Sequence, residues 1–170
     1  MNPAALYKLG YGMYLVSSLR GKEFNAQTAN TVFQITSEPP TIAVSINKKN
    51  LTHDFIAESG VFAVTVLCQE TPLAFIGRFG FKSGRDTQKL EGVNYITGET
   101  KVPIITDHAV AYLEARVKQQ VDVGTHTLFI GEVVNGDVVA EKTCMTYEYY
   151  HQMKRGTTPA TAPTYVKEQK

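Results

Sequence analysis

Two short stretches of the chain carry the side chains best suited to hold a ligand. The run Asn25-Ala26-Gln27-Thr28-Ala29-Asn30 mixes small residues with amides and a hydroxyl. Small side chains let the backbone approach a flat ring, while the amides and hydroxyl set donors and acceptors at fixed spacing beside it. Further on, Asn47-Lys48-Lys49-Asn50-Leu51-Thr52 crowds two cations and several hydrogen-bonding groups into one turn. Asn50 is a favoured N-cap, and LTHDFIAES continues as a helix with Leu51, Phe55 and Ile56 apolar until Gly60 ends it. The free amides and positive dipole end of such a helix attract a phosphate, to which Lys48 or Lys49 adds a point charge. From its residues alone the same turn also fits a solvated connection between strand and helix.

Other chemistries lack their residues. Cys68 and Cys144 form no C-x-x-C, which argues against a zinc or iron–sulfur site and predicts reduced, partly buried thiols. His53, His108 and His151 do not recur at metal-ligand spacing, so no metal site is expected. His126 heads a strand, where a lone histidine most often serves as a structural hydrogen-bonding residue. Gly10 and Gly12 lack the third glycine of a dinucleotide fingerprint, which excludes nicotinamide recognition by a Rossmann unit. No triad, paired carboxylates or activated cysteine stands out, against a hydrolase.

The elements that must position the two stretches are mostly strands. Pro3 to Leu9 suits a short helix, Tyr11 to Leu19 a strand, and Gly21 with Lys22 a hairpin turn into Phe24. From Phe24 the chain reads as a strand running without a breaker through Val32, Phe33 and Ile35, until Pro39 and Pro40 stop it and TIAVSI restarts. Val61 to Leu67 is a strand, TPLAFIGR a short helix with Thr71 as N-cap, and Phe79 to Leu90 an electropositive loop. Val110 to Val123 fits helix or strand and is read as strand, and HTLFIGEVVNGDVVA is read as β structure turning at Asn135-Gly136-Asp137. Cys144 to Arg155 reads as a helix with Tyr147, Tyr150 and Lys154 on one face, ended by Gly156. The remainder, rich in Thr, Pro and Ala, reads as an arm without its own core.

With 170 residues, 43% of them hydrophobic and 19% charged, the chain fits one globular domain. A net charge of +1 gives no general pull toward nucleic acid or anionic membrane. The amino terminus shows no leader pattern and no apolar run approaches the roughly 20 residues that span a bilayer, so a cytoplasmic protein is expected.

NAQTAN, two prolines, a strand ending in Ser45 and Asn47, the basic turn and Thr52 together resemble the flavin reductase-like family, an FMN-binding split barrel. GRFGFKSGRD from Gly77 and GTHTLFIGEV from Gly124 agree in order. The flavin-binding half of high-molecular-weight rubredoxins is the nearest in pattern, along with flavoredoxin-type oxidoreductases. The resemblance implies a mainly β fold with some α: an antiparallel, Greek-key-like split barrel with a few short helices over residues 1–155, with 156–170 as a carboxy-terminal arm or linker remnant.

It also implies FMN, with Asn25, Ala26, Gln27, Thr28, Ala29 and Asn30 along the ring edge and Ser45, Asn47, Lys48, Lys49, Asn50 and Thr52 around the phosphate. Ser83, Gly84 and Arg85 become contacts to the ribityl or phosphate groups, and His126 a residue beside the flavin. Thr125 stands where many relatives carry Asp, so no charge partner for His126 is implied. The implied activity is an FMN-dependent oxidoreductase that takes a hydride from NADH or NADPH and passes electrons to free flavin, a rubredoxin-like carrier or an iron complex. The chain stops after the arm, which favours an external acceptor. Members of the family are usually homodimers, and nine tyrosines with eight phenylalanines supply aromatic anchors for such an interface. The alternatives are an FMN-binding electron-transfer protein without its own NAD(P)H site and, more remotely, a barrel that binds nucleic acid or a partner.

Overall fold

The computed structural model describes residues 1–165. A 3-10 turn over Pro3–Lys8 leads into strands β1 (Tyr14–Arg20), β2 (Glu23–Ala29), β3 (Val32–Ser37) and β4 (Pro40–Asn47). Helix α1 (Leu51–Ser59), strand β5 (Val61–Leu67) and helix α2 (Leu73–Gly80) follow. Strands β6 (Tyr95–Thr97), β7 (Pro103–Ile105), β8 (Ala109–Asp122) and β9 (His126–Val138) precede helix α3 (Tyr147–Gln152).

Seven strands form one antiparallel sheet in the order β2-β1-β5-β8-β9-β4-β3, and β6 pairs with β7 apart from it. β2 and β3 occupy opposite edges of the sheet although only Asn30 and Thr31 separate them in the chain. So short a link forces the twisted sheet to curl until its two edges meet at that corner, giving a barrel split along one seam.

Alternation along the strands explains why both faces are apolar. Val16 of β1 and Phe62 and Val64 of β5 point into the barrel with Val44, Ile46, Ala115 and Phe129. Their neighbour Leu15 faces the other way, against Ile76 and Phe79 of α2 and Tyr150 of α3. Ala63 instead packs under the β6–β7 hairpin with Val102 and Ile104. A strand covered on both sides reads as the continuous apolar run VFAVTVL, and burial follows it from Val61 to Leu67 with only Val66 half-buried.

Several expectations need correction. The strand read from Phe24 onward is two strands, because the chain leaves one edge of the sheet at Asn30 and joins the other at Val32; the Thr31 carbonyl already accepts the Ser45 amide at 3.1 Å. The Asn135-Gly136-Asp137 turn does not form: these residues continue β9 opposite Glu114, Leu113 and Tyr112 of β8. Asn135 Nδ2 donates instead to the buried Glu114 carboxylate, a long-range partner that outweighs the local turn preference. Thr71 spends its hydroxyl on the Cys68 carbonyl, so Pro72 becomes the cap of α2. The last helix starts at Tyr147 with Thr146 as its cap, because Cys144 is held in a β-bridge to Cys68. No helix among the described residues is long and apolar enough to cross a membrane.

Candidate functional site

A cavity of about 390 Å³ opens where the sheet edges, the start of α1 and the end of α2 converge, a size typical of small-molecule sites. One wall is β2, with Asn25, Gln27, Thr28 and Ala29, turning at Asn30. Ser45 and Asn47 at the end of β4, with Lys49, Asn50 and Thr52 at the start of α1, form the second. Ser83 and Gly84 close it from the stretch after α2, and Tyr147 and Tyr150 of α3 face in from the far side.

The start of α1 is built to leave donors free. Asn50 takes the extended conformation of an N-cap, but its side chain makes no capping bond and instead lines the cavity. Asn47 Oδ1 accepts the Lys49 amide at 3.0 Å and fixes the turn. Asn25 Nδ2 donates to Thr52 Oγ1 at 2.8 Å, joining the strand wall to the helix wall. Gly84 packs so close that an added Cβ would lie 2.2 Å from Asn25 Oδ1. Arg85 holds that loop down: its guanidinium donates to the Lys49 carbonyl at 3.1 Å and to Asp54 at 2.8 Å.

Two buried polar groups in the wall are incompletely matched, Gln27 at its side-chain oxygen and Lys89 in having no carboxylate partner among the described residues. Gln27 is 8% exposed, and its Oε1 has no hydrogen-bond partner among the described residues. Lys89, 6% exposed, donates to the carbonyls of Ala26 and Phe79, both at 3.1 Å. Burial pushes the Lys89 ammonium down to about 8.

The carboxy-terminal segment supplies the remaining wall. Residues from Thr157 to Pro163 line the cavity as a strap. Tyr150 donates to the Thr157 carbonyl at 2.9 Å, Tyr147 bonds the Thr158 hydroxyl, and Asn30 Nδ2 donates to Thr164 at 2.7 Å. His126 Nε2 donates to the Thr161 carbonyl at 3.2 Å, which leaves Nδ1 to accept from the Thr125 hydroxyl at 2.8 Å. Burial holds the His126 imidazole below its ordinary value, the Thr161 bond opposes this, and nearby His53 adds to it.

Most of the expected site residues are thus brought together: Asn25, Gln27, Thr28, Ala29, Asn30, Ser45, Asn47, Lys49, Asn50, Thr52, Ser83 and Gly84 all line the cavity. Four stand elsewhere. Ala26 is fully buried toward Leu15 and Phe79, on the face of β2 turned away from the barrel interior. Lys48 pairs with Asp122 at 2.7 Å on the surface. Arg85 is spent on Asp54, and His126 lines a neighbouring groove and reaches the cavity only through the strap. The arm, expected as a remnant from residue 156, is part of the site as far as Pro163, while 166–170 lie outside the described residues. Lys89, the two tyrosines and the strap were not foreseen; the Lys89 ammonium is indistinguishable by sequence from Lys82 in the same basic stretch. Among the described residues no group of three His, Cys, Asp or Glu could hold a metal ion.

A family model described as flavin reductase like domain matches residues 6–158. Over 165 residues the chain is 56% identical to a high molecular weight rubredoxin of Moorella thermoacetica, covering 97% of this chain and 72% of that protein. It is 52% identical over 165 residues to a ferric-chelate reductase (NAD(P)H) of Archaeoglobus fulgidus, covering 97% and 98%. Among solved structures, the NADH:FAD oxidoreductase of Streptomyces globisporus C-1027 superposes with a TM-score of 0.73 at 26% identity over 81% of each chain.

Proposed function

This chain belongs to the flavin reductase-like domain family, and on that premise we propose that its cavity binds FMN and that the protein is an NAD(P)H-dependent flavin reductase. The observation that carries the proposal is Gln27, which lines the cavity and whose buried Oε1 has no donor among the described residues. A buried acceptor left open costs about 1–3 kcal/mol, and a ring N–H offered by a flavin relieves that cost. Toward α1 the cavity offers what a phosphate needs: the Lys49 ammonium, the uncommitted Asn50 carboxamide, the Ser83 hydroxyl and a helix start. These residues fit a flat, hydrogen-bonding ring joined to an anionic tail.

Bound flavin would supply the hydride chemistry: it would accept the hydride that nicotinamide C4 gives up in becoming NAD(P)⁺, then hand the two electrons to an acceptor and release the proton to solvent. The residues of this chain contribute position. β2 sets the ring against a stiff strand, the turn at Lys49 anchors the tail, and the strap screens the ring from water. Free flavin, a rubredoxin-like carrier and an iron complex are the acceptors we propose, the last two supported by similarity to a high molecular weight rubredoxin and a ferric-chelate reductase. We place the protein in the cytoplasm as a homodimer, in which a second copy covers the exposed Phe33 and Ile35 of edge strand β3.

The test is the absorption spectrum of the purified protein after incubation with FMN or FAD and gel filtration, then after anaerobic addition of NADH or NADPH. A retained FMN spectrum that bleaches with either nucleotide is the expected result. A retained flavin that neither nucleotide bleaches would leave an electron-transfer protein without its own NAD(P)H site, and a colourless protein would remove the flavin reading altogether.

A further inference from the structure

The stretch after α2 places an ammonium inside the molecule, at a point where the cavity chemistry has no role for it yet. Lys89 Nζ has three N–H groups, and two are used on the carbonyls of Ala26 in β2 and Phe79 in α2. Both acceptors are neutral, and among the described residues no carboxylate pairs with Lys89. A buried cation without a counter-charge is costly to keep, more so when burial already weakens its hold on the proton. Its third N–H belongs to a group that lines the cavity. One residue along β2 from the Ala26 carbonyl stands Gln27, which lines the same cavity and whose buried Oε1 has no partner among the described residues.

We propose that Gln27 and Lys89 together read the imide edge of the flavin ring, and that the Lys89 ammonium makes the reduced ring bind more tightly than the oxidised one. The inference rests on the flavin reading above and adds the residue that tunes the ring. The imide edge presents an N–H between two carbonyl oxygens. A carboxamide carries an acceptor beside a donor, so Gln27 pairs with the N–H and one carbonyl, and the spare Lys89 N–H pairs with the other. Reduction adds electron density to those carbonyls, and a fixed cation in a water-poor site favours the form that carries it.

The native protein and Lys89→Met, each loaded with FMN, are titrated anaerobically against reference dyes at pH 7. Loss of the ammonium is expected to lower the preference for reduced over oxidised flavin about tenfold, which for a two-electron couple moves the potential down by about 30 mV. Lys89→Met also strips the donor from two buried carbonyls, so a second measurement leaves the protein intact. FMN methylated at the imide nitrogen should bind the native protein at least about tenfold more weakly than FMN, and Gln27→Leu should shrink that ratio to within about twofold. An unchanged potential in a folded Lys89→Met protein, or methylated FMN bound as tightly as FMN, overturns the inference and leaves the flavin reading standing. A native protein that takes up no FMN overturns both.

Discussion

Asn25 Nδ2 donates to Thr52 Oγ1 at 2.8 Å, and through that buried bond the strand that forms one wall of the cavity is fixed to the first turn of the helix that forms the next. Neither residue points to the other in sequence. The bond joins the β2 wall and the turn that opens α1 into one piece, which is what the proposed cofactor site requires if ring and tail are to be held at a set separation. Gly84 depends on the same carboxamide from the opposite side.

Gly84→Ala should therefore act at a distance from any surface. Its Cβ would sit 2.2 Å from Asn25 Oδ1 and 3.1 Å from Leu51, so the amide must turn and the bond to Thr52 is lost. A broken buried hydrogen bond costs about 1–3 kcal/mol, or a fall in Tm of roughly 3–8 °C for a domain of this size. Gly10→Ala, with nothing within 4 Å of the added Cβ, serves as the control. Thermal unfolding that treats the two variants alike would remove Asn25 from its bracing role.

The two lysines of the anion turn should separate. Lys49 lines the cavity whereas Lys48 is paired with Asp122, whose carboxyl is held low first by that hydrogen bond, then by the Gly124 amide. Lys49→Ala should weaken FMN by about tenfold, the worth of a charge-assisted hydrogen bond, and leave riboflavin binding unchanged because riboflavin carries no phosphate. Lys48→Ala should change neither by more than about twofold. Flavin fluorescence quenching reads both constants; equal losses in the two variants would place the phosphate elsewhere.

What was legible in the sequence is what neighbouring residues decide. Helix α1 could be read because its cap and its terminating Gly60, at φ 69°, lie within one short segment. β5 could be read because both its faces are apolar. The split between β2 and β3 left no mark, since nothing in NAQTANTVF breaks a strand and the division comes from pairing with β1 and β4. Asn135-Gly136 carries a strong local turn signal that a carboxylate on another strand overrides. The strap has no periodicity to read, and its bond from Asn30 to Thr164 spans 134 residues.

Glu114 accepts from the amides of Glu99 and Thr100, the Thr100 hydroxyl at 2.5 Å and Asn135 at 2.7 Å. Burial pushes its carboxyl up, but these donors outweigh it and hold the pKa below the ordinary 4.5. A depressed folded pKa stabilises the protein above the unfolded value, and that contribution is lost as pH falls through the folded one. Glu114→Gln should cost about 2 kcal/mol or more at pH 7, and the gap to the native protein should narrow below pH 4.5. Urea unfolding at pH 7 and pH 3.5 checks the sign; a gap that widens in acid would contradict the assignment.

His126 reaches the cavity only through its bond to the Thr161 carbonyl, and we propose that it positions the strap. His126→Phe keeps a ring in place and removes the Nε2 donor. Losing one such bond, worth about 1 kcal/mol, should raise the FMN dissociation rate about fivefold while the bound spectrum keeps its shape. A stopped-flow rate equal to that of the native protein would mean that the strap does not gate release.

The Lys89 ammonium gives the flavin potential a pH signature that a purely structural lysine would not. Burial holds its pKa at about 8 against an ordinary 10.5, so between those values the unfolded chain binds more protons and the stability of the flavin-free protein rises with pH. Below about 8 the native site is charged, and there the potential of the native protein should exceed that of Lys89→Met. A tenfold preference for the reduced ring equals one unit of pKa, so reduction should raise the Lys89 pKa by about one unit. The gap in potential should begin to close near pH 8, fall to roughly a quarter about one unit higher, and be nearly gone by about pH 9.5. Dye titrations at pH 7 and pH 9.5 measure both ends; a gap that stays constant across that range would deny the ammonium any part in setting the potential.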